Sequence, residues 1–195
     1  MVFNNLKFSG IALLILFLSA CSSSPIEPEV LYSKGQREKV NDLNQWSFEG
    51  RLGLSGKNDS WQASIDWEHK PGIEEIKLSG PLGQGATIIK LAGNLVSIDR
   101  GEDKVQTSTE PEAFINKQVG MFVPIRSLRY WVIGLPEPTS VFIETIAGFT
   151  QAGWLVEYKQ MQQVHGRPMP RKVTVSNEQV KLKLIIDRWV LNVAN

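Results

Sequence analysis

The chain has 195 residues, a formal net charge of +1 and a single cysteine, with 42% hydrophobic and 21% charged residues. That balance gives no basic excess for gripping nucleic acid, no intramolecular disulfide, and at most one thiolate for a metal. Without its first twenty residues the chain is long enough for one domain with a substantial core and rather short for two.

Ile11 to Leu18 is an unbroken apolar run, preceded by Lys7 and followed by the small pair Ser19-Ala20 and then Cys21. This is the layout of a secretory signal peptide. The run is too short to span a bilayer core, which needs roughly 20 apolar residues. Taken alone, the residues leave open an ordinary cleavage site with a thiol beside it. Leu18-Ser19-Ala20-Cys21 also resembles the bacterial lipobox, which implies diacylglycerol on the Cys21 thiol, cleavage after Ala20 and acylation of the new amine. In the sorting rule that accompanies the lipobox, Asp after the cysteine retains a lipoprotein in the inner membrane. Ser22 at that place therefore implies the outer membrane, with the domain facing the periplasm. Residues 1–20 are thus expected to be removed, 21–28 to form a Ser/Pro-rich lipidated tether, and 29–195 to form the domain. Lys7 is the only charged side chain upstream of Cys21, so the mature side chains sum to zero. Attachment to the membrane must then come mainly from lipid, and stable anchoring takes more than one acyl chain.

From about Glu29 to Asn44 weak helical spacing places Leu31, Val40 and Leu43 on one side. The period then changes to two. Trp46, Phe48, Gly50, Leu52 and Leu54 alternate with polar positions, and after the turn Ser55–Ser60 so do Trp61, Ala63, Ile65 and Trp67. Ile76 and Leu78 carry a third strand, Ala86 to Leu91 a fourth, and Leu95 to Arg100 with Lys104 to Ser108 another hairpin. Thr109-Glu110-Pro111-Glu112 reads as a capping box opening a helix whose face is Phe114, Ile115, Gln118, Val119 and Phe122. Pro124 stops that helix. Ser127 can cap a second one carrying Leu128, Trp131 and Val132, closed by Gly134 and Pro136. Strands resume at Val141 to Thr145, Trp154 to Lys159, Arg171 to Ser176 and Gln179 to Asp187, the last with Val180, Leu182, Leu184 and Ile186 on one face. Ten strands joined by short turns predict an α+β fold: a large, strongly curved antiparallel sheet with helices covering its inner face.

Two stretches go beyond pattern: Ile76-Lys77-Leu78-Ser79-Gly80-Pro81-Leu82-Gly83 and Pro124-Ile125-Arg126-Ser127-Leu128-Arg129-Tyr130-Trp131-Val132-Ile133-Gly134-Leu135-Pro136. With the lipobox before them and Val180-Lys181-Leu182-Lys183-Leu184 ahead of Trp189 after them, they resemble the LolB family of outer-membrane lipoprotein receptors. The resemblance implies an incomplete antiparallel β-barrel of about eleven strands, closed on one side by helices around a hydrophobic cavity. An eleventh strand would then lie in Ala147 to Ala152. It further implies a receptor that takes triacylated lipoproteins from a soluble periplasmic carrier and places them among outer-membrane lipids, as a monomer, with no nucleotide, cofactor or covalent chemistry.

Candidate residues for the cavity or core are Trp46, Phe48, Leu52, Trp61, Ile65, Trp67, Ile76, Leu78, Phe122, Leu128, Trp131, Val132, Leu182 and Leu184. Alternation assigns their faces but does not separate lining from packing. Leu82 stands between Pro81 and Gly83, where a surface turn would ordinarily carry Asn, Asp or Ser. From chemistry alone it can fold back onto the core or dip into a bilayer. The resemblance assigns the Pro81-Leu82-Gly83 loop to membrane insertion of cargo.

No enzyme chemistry is legible. His69 and His165 both read as exposed, with no partner at metal-ligand spacing. No serine sits in a Gly-x-Ser-x-Gly elbow, and Gly80, Gly83 and Gly85 do not open a helix after a strand. The rival readings are a lipid-anchored envelope-assembly protein, which would present a flat partner surface, and a carrier of another small apolar ligand.

Overall fold

The computed structural model describes residues 31–80, 85–101 and 105–192. Cys21, the signal segment, the whole tether and Pro81-Leu82-Gly83 lie outside the described residues. Eleven strands follow one another: β1 (Trp46–Ser55), β2 (Ser60–Lys70), β3 (Ile73–Ser79), β4 (Thr87–Ala92), β5 (Leu95–Asp99), β6 (Val105–Ser108), β7 (Phe142–Thr145), β8 (Gly148–Gln151), β9 (Trp154–Val164), β10 (Arg167–Ser176) and β11 (Lys181–Leu191). Helices α1 (Pro111–Val119) and α2 (Ile125–Trp131) stand between β6 and β7, and a 3₁₀ turn (Lys34–Lys39) precedes β1.

All eleven strands form one antiparallel sheet in the order β6-β5-β4-β3-β2-β1-β11-β10-β9-β8-β7. The chain meanders from the centre to one edge, passes through both helices, starts again at the other edge and returns until β11 pairs with β1. Among the described residues the edges β6 and β7 pair with no further strand, and the sheet is open. The strand missing from the ten read in the sequence is Gly148–Gln151, inside the expected Ala147 to Ala152.

Paired residues share a face, so the register aligns the apolar positions into rows. Leu54 lies opposite Leu182 and Trp61, and Leu52 opposite Leu184 and Ala63. Trp67 faces Ile76, which faces Ile89, which faces Ile98. At the far side Val175 pairs with Val156, and Val156 with Phe149. One face of the whole sheet is therefore apolar, and its residues form the core.

A bulge keeps β11 in phase with that face. Glu49 pairs with Arg188 but Gly50 pairs with Ile186, leaving Asp187 as an extra residue. Strict alternation after Ile186 would turn Arg188 inward; with the bulge, Asp187 and Arg188 are both exposed, and Trp189 and Leu191 are buried. The strand thus runs four residues beyond the expected end at Asp187. Gly50 permits the close approach, since a Cβ there would stand 2.3 Å from the Ile185 carbonyl oxygen.

Other boundaries are corrected by local chemistry. The weak helix expected over 29–44 is a short 3₁₀ turn. Thr109 does not cap α1: Glu110 holds the N-cap position without a side-chain bond, and Ser108 Oγ accepts the Glu110 N–H at 3.1 Å. Ser127 lies inside α2, whose N-cap is Pro124, and the Pro124 carbonyl accepts the N–H groups of Ser127 and Leu128. The C-terminal expectation for α2 is met: Leu135 N–H bonds back to Tyr130 O and Gly134 N–H to Trp131 O, with Gly134 at φ 97°. β10 starts at Arg167, not Arg171; Pro168 and Pro170 argue against a strand, and the ladder is irregular between Pro170 and Val173.

Candidate functional site

A small cavity of about 60 Å³ lies between the apolar sheet face and the helical segment, and every residue lining it is apolar. The sheet contributes Leu52, Leu54, Trp61, Ile65, Trp67, Ile76, Leu78, Ile89, Leu182 and Leu184. The helical side contributes Ile115 and Val119 of α1, Val123 of the connection, Ile125 and Leu128 of α2, and Val132 just after it. Such a space can offer a ligand only dispersion and exclusion from water. It is less than half the roughly 150 Å³ that an engineered cavity needs to take one benzene.

Ten of the fourteen candidates from the sequence are brought to this wall: Leu52, Trp61, Ile65, Trp67, Ile76, Leu78, Leu128, Val132, Leu182 and Leu184. The other four are elsewhere. Trp46 and Phe48 pack with Trp67 and Trp189 in an aromatic cluster, with ring centroids 5.1 to 6.0 Å apart. Trp131, the last residue of α2, is fully buried with its ring 6.4 Å from that of Trp154. Phe122 is half exposed and stacks on Trp154 at 6.3 Å. The wall also takes in Leu54, Ile89, Ile115, Val119, Val123 and Ile125, which were not among the candidates. Leu54, Ile115 and Val119 were legible, because they sit on the same strand and helix faces as candidates already named. Ile89 was not, since Ile88 and Ile89 are adjacent and only the pairing of Ile89 with Ile76 shows which one faces inward.

Two buried polar knots hold this wall in place. Gln151, 2% exposed, accepts from Trp131 Nε1 at 2.7 Å and from Glu137 N–H at 2.8 Å, and donates to the carbonyls of Glu137 and Ser140, each at 2.8 Å. One amide thereby ties α2, the following loop and β8 together with its hydrogen-bonding capacity filled. Tyr158 Oη donates to the Trp131 carbonyl at 2.8 Å, and burial pushes the phenol well above its ordinary value.

The second knot is Glu74, which sequence reasoning missed. Its carboxylate is 5% exposed, accepts from Trp67 Nε1 at 2.9 Å, lies 2.7 Å from His69 Nδ1 and is 3.8 Å from Arg129 Nη1. The bond to Trp67 fixes one of the indoles on the cavity wall. His69, expected to be exposed, instead stacks on Trp46 at 5.1 Å. Its position directly across from Glu74 in the β2–β3 register draws it in. His165 is exposed as expected.

Among the described residues no three His, Cys, Asp or Glu side chains are grouped to hold a metal, and no helix is long and apolar enough to cross a membrane. Arg51 and Arg188 lie on the opposite, wet face and pair across strands with Asp187 and Glu49.

The family model for "Outer membrane lipoprotein LolB" matches residues 44–189, which take in the sheet up to Trp189, both helices and the cavity lining. The outer-membrane lipoprotein LolB of Marinomonas sp. is 31% identical over 181 residues, covering 89% of this chain and 92% of its own. That of Chromohalobacter salexigens is 32% identical over 190 residues, covering 91% and 87%. Among solved structures, the LolA superfamily protein NE2245 from Nitrosomonas europaea aligns over 85% of this chain and 96% of its own, at 7% identity and a TM-score of 0.49. With its distinctive segments, Pro124 to Pro136 and Val180 to Trp189, falling inside the matched span, the chain belongs to the outer-membrane lipoprotein LolB family.

Proposed function

We propose that this chain is a receptor, anchored in the outer membrane through Cys21, that accepts lipidated proteins from a soluble periplasmic carrier and inserts them into that membrane without nucleotide hydrolysis. The observation that carries the reading is the wholly apolar wall between sheet and helices. An acyl chain of roughly 16 carbons gains about 12 kcal/mol on leaving water, at ~0.8 kcal/mol per CH₂. Release of such a chain into water is too slow to use, so transfer must pass from one apolar surface to another. A cavity slightly better for the chain than the carrier and slightly worse than the bilayer gives the transfer its direction with no other energy source.

At about 60 Å³ the cavity is too small to hold an acyl chain. Acyl entry requires α1 and α2 to move off the sheet. Leu82, in the loop joining β3 to β4, is the residue we assign to insertion of cargo into the membrane. The receptor acts as a monomer, with no cofactor.

The experiment mixes the Cys21→Ala chain with a carrier loaded with a triacylated lipoprotein, in the absence of nucleotide, and asks which protein holds the cargo. Movement of cargo to this chain is the expected result. Cargo that stays on the carrier, with this chain folded and the carrier able to unload elsewhere, removes the receptor reading.

A further inference from the structure

The hairpin β7–β8 carries apolar side chains that the fold does not bury. Val141 is 92% exposed, Ile143 73% and Ile146 fully exposed. Val141 immediately precedes the outermost strand, Ile143 lies on it and Ile146 at its turn, where unpaired backbone and apolar side chains together invite aggregation, and where proteins ordinarily place Lys, Pro or a cover. An edge of this kind needs something to face.

The two faces of β7 are treated differently. Glu144 pairs with Phe149 and Phe142 with Gln151, so Phe142 and Glu144 share the inner face and Ile143 is turned to the outer one. The inner face is pinned by the start of the domain. Arg37 of the 3₁₀ turn donates to both Glu144 carboxylate oxygens and to the Tyr32 hydroxyl, and its guanidinium lies over the rings of Phe142 and Phe149 at 5.1 and 5.3 Å. Tyr32 stacks on Tyr158 at 4.5 Å, and the Tyr158 N–H bonds to the Ala147 carbonyl at 2.7 Å. The first described residues therefore lie against the very turn that exposes Ile146.

Only ten residue steps separate Leu31 from Cys21. Fully extended, at about 3.3 to 3.6 Å per residue, they reach no more than about 36 Å. A lipid on Cys21 thus keeps Leu31, and with it the β7–β8 edge it lies against, within about 36 Å of the bilayer. We infer that the outer face of the β7–β8 hairpin, through Val141, Ile143 and Ile146, rests on the lipid surface and orients the domain on it. The contact is separate from strands β3 and β4, which lie toward the opposite edge of the sheet. The inference rests on the proposed anchor at Cys21 and does not depend on what the cavity carries.

The test uses the full lipidated chain, in which Cys21 is blocked and Ile146→Cys supplies the one free thiol. That thiol is labelled with an environment-sensitive fluorophore, and the chain is reconstituted into vesicles of phosphatidylethanolamine and phosphatidylglycerol containing a phospholipid with a nitroxide on its acyl chain. Fluorescence is expected to be lost at 146, and at 143 in the corresponding Ile143→Cys chain, and kept for Lys183→Cys on the wet face of β11. Chains that float with the vesicles but stay as bright at 143 and 146 as at 183 overturn the contact and leave the anchor intact. A chain that does not float removes the anchor and the inference with it. A spectral shift at 146 that grows with protein concentration in the lipid-free Cys21→Ala chain assigns the face to a second copy and overturns the lipid contact.

Discussion

Tyr158, on the inner face of β9, donates its phenol proton to the main-chain carbonyl of Trp131 at the end of α2, at 2.8 Å. A strand near one edge of the sheet is thereby bonded to the helix segment that carries Leu128 and Val132 to the cavity. Burial raises the Tyr158 pKa well above the ordinary 10.0. A raised folded value means that the stabilising contribution is fully present below about pH 10 and is lost as pH rises through the folded value. Urea unfolding followed by tryptophan fluorescence should show stability falling on the alkaline side. Tyr158→Phe should flatten that fall and cost about 1 kcal/mol at neutral pH, a modest loss because the Trp131 carbonyl keeps the Gly134 N–H.

Gln151→Leu keeps the volume of the side chain and removes all four of its bonds. The buried Trp131 Nε1 and the partly buried Glu137 N–H and two carbonyls then lose their partner. We expect a loss of about 2 to 4 kcal/mol in the same unfolding measurement. A change within experimental error would show that water replaces the amide.

Gly50→Ala places a methyl 2.3 Å from the Ile185 carbonyl oxygen, a backbone atom that cannot rotate away. The β1–β11 bulge must open or shift, at an expected cost of about 1 to 3 kcal/mol. Gly53→Ala, on the same strand with its nearest atom at 4.0 Å, serves as the tolerated control. Equal melting temperatures for the two variants would count against the close approach as the reason for Gly50.

Asp42 pairs with Arg167, which joins the segment before β1 to the start of β10. The Arg167 hydrogen bond lowers the Asp42 carboxyl below its ordinary value. A lowered folded value means stability present above the unfolded pKa and lost as pH falls through the folded one. Asp42→Asn should therefore weaken the acid dependence of unfolding below about pH 4 and leave the alkaline limb untouched. An unaltered acid limb would assign that dependence to other carboxylates.

Leu82→Glu tests the insertion loop. Folding and cargo uptake from the carrier should stay largely intact, while delivery of cargo to outer-membrane vesicles should be blocked. Uptake and delivery falling together would deny the loop a separate role.

Alternation and turn chemistry along the chain determined most of the sheet, because a strand with one wet face writes its period of two into the order of its residues. Trp46 to Leu54, Trp61 to Trp67 and Val180 to Ile186 were readable for that reason. The Gly134 closure of α2 was readable because a left-handed residue after a helix calls for glycine. The family followed from the Trp131 to Pro136 segment and its spacing from the other motifs. Tertiary structure alone decided the rest. A bulge is a matter of register between two strands, so Trp189 and Leu191 entered the core against the alternation of their own strand. Whether an aromatic ring lines a cavity or packs behind it depends on what stands opposite: Trp61 and Trp67 face the space below the helices, while Trp46, Phe48 and Trp131 meet other side chains. The buried Glu74 was invisible for the same reason, since a carboxylate in a strand reads as wet until Trp67 and His69 are brought against it across a hairpin.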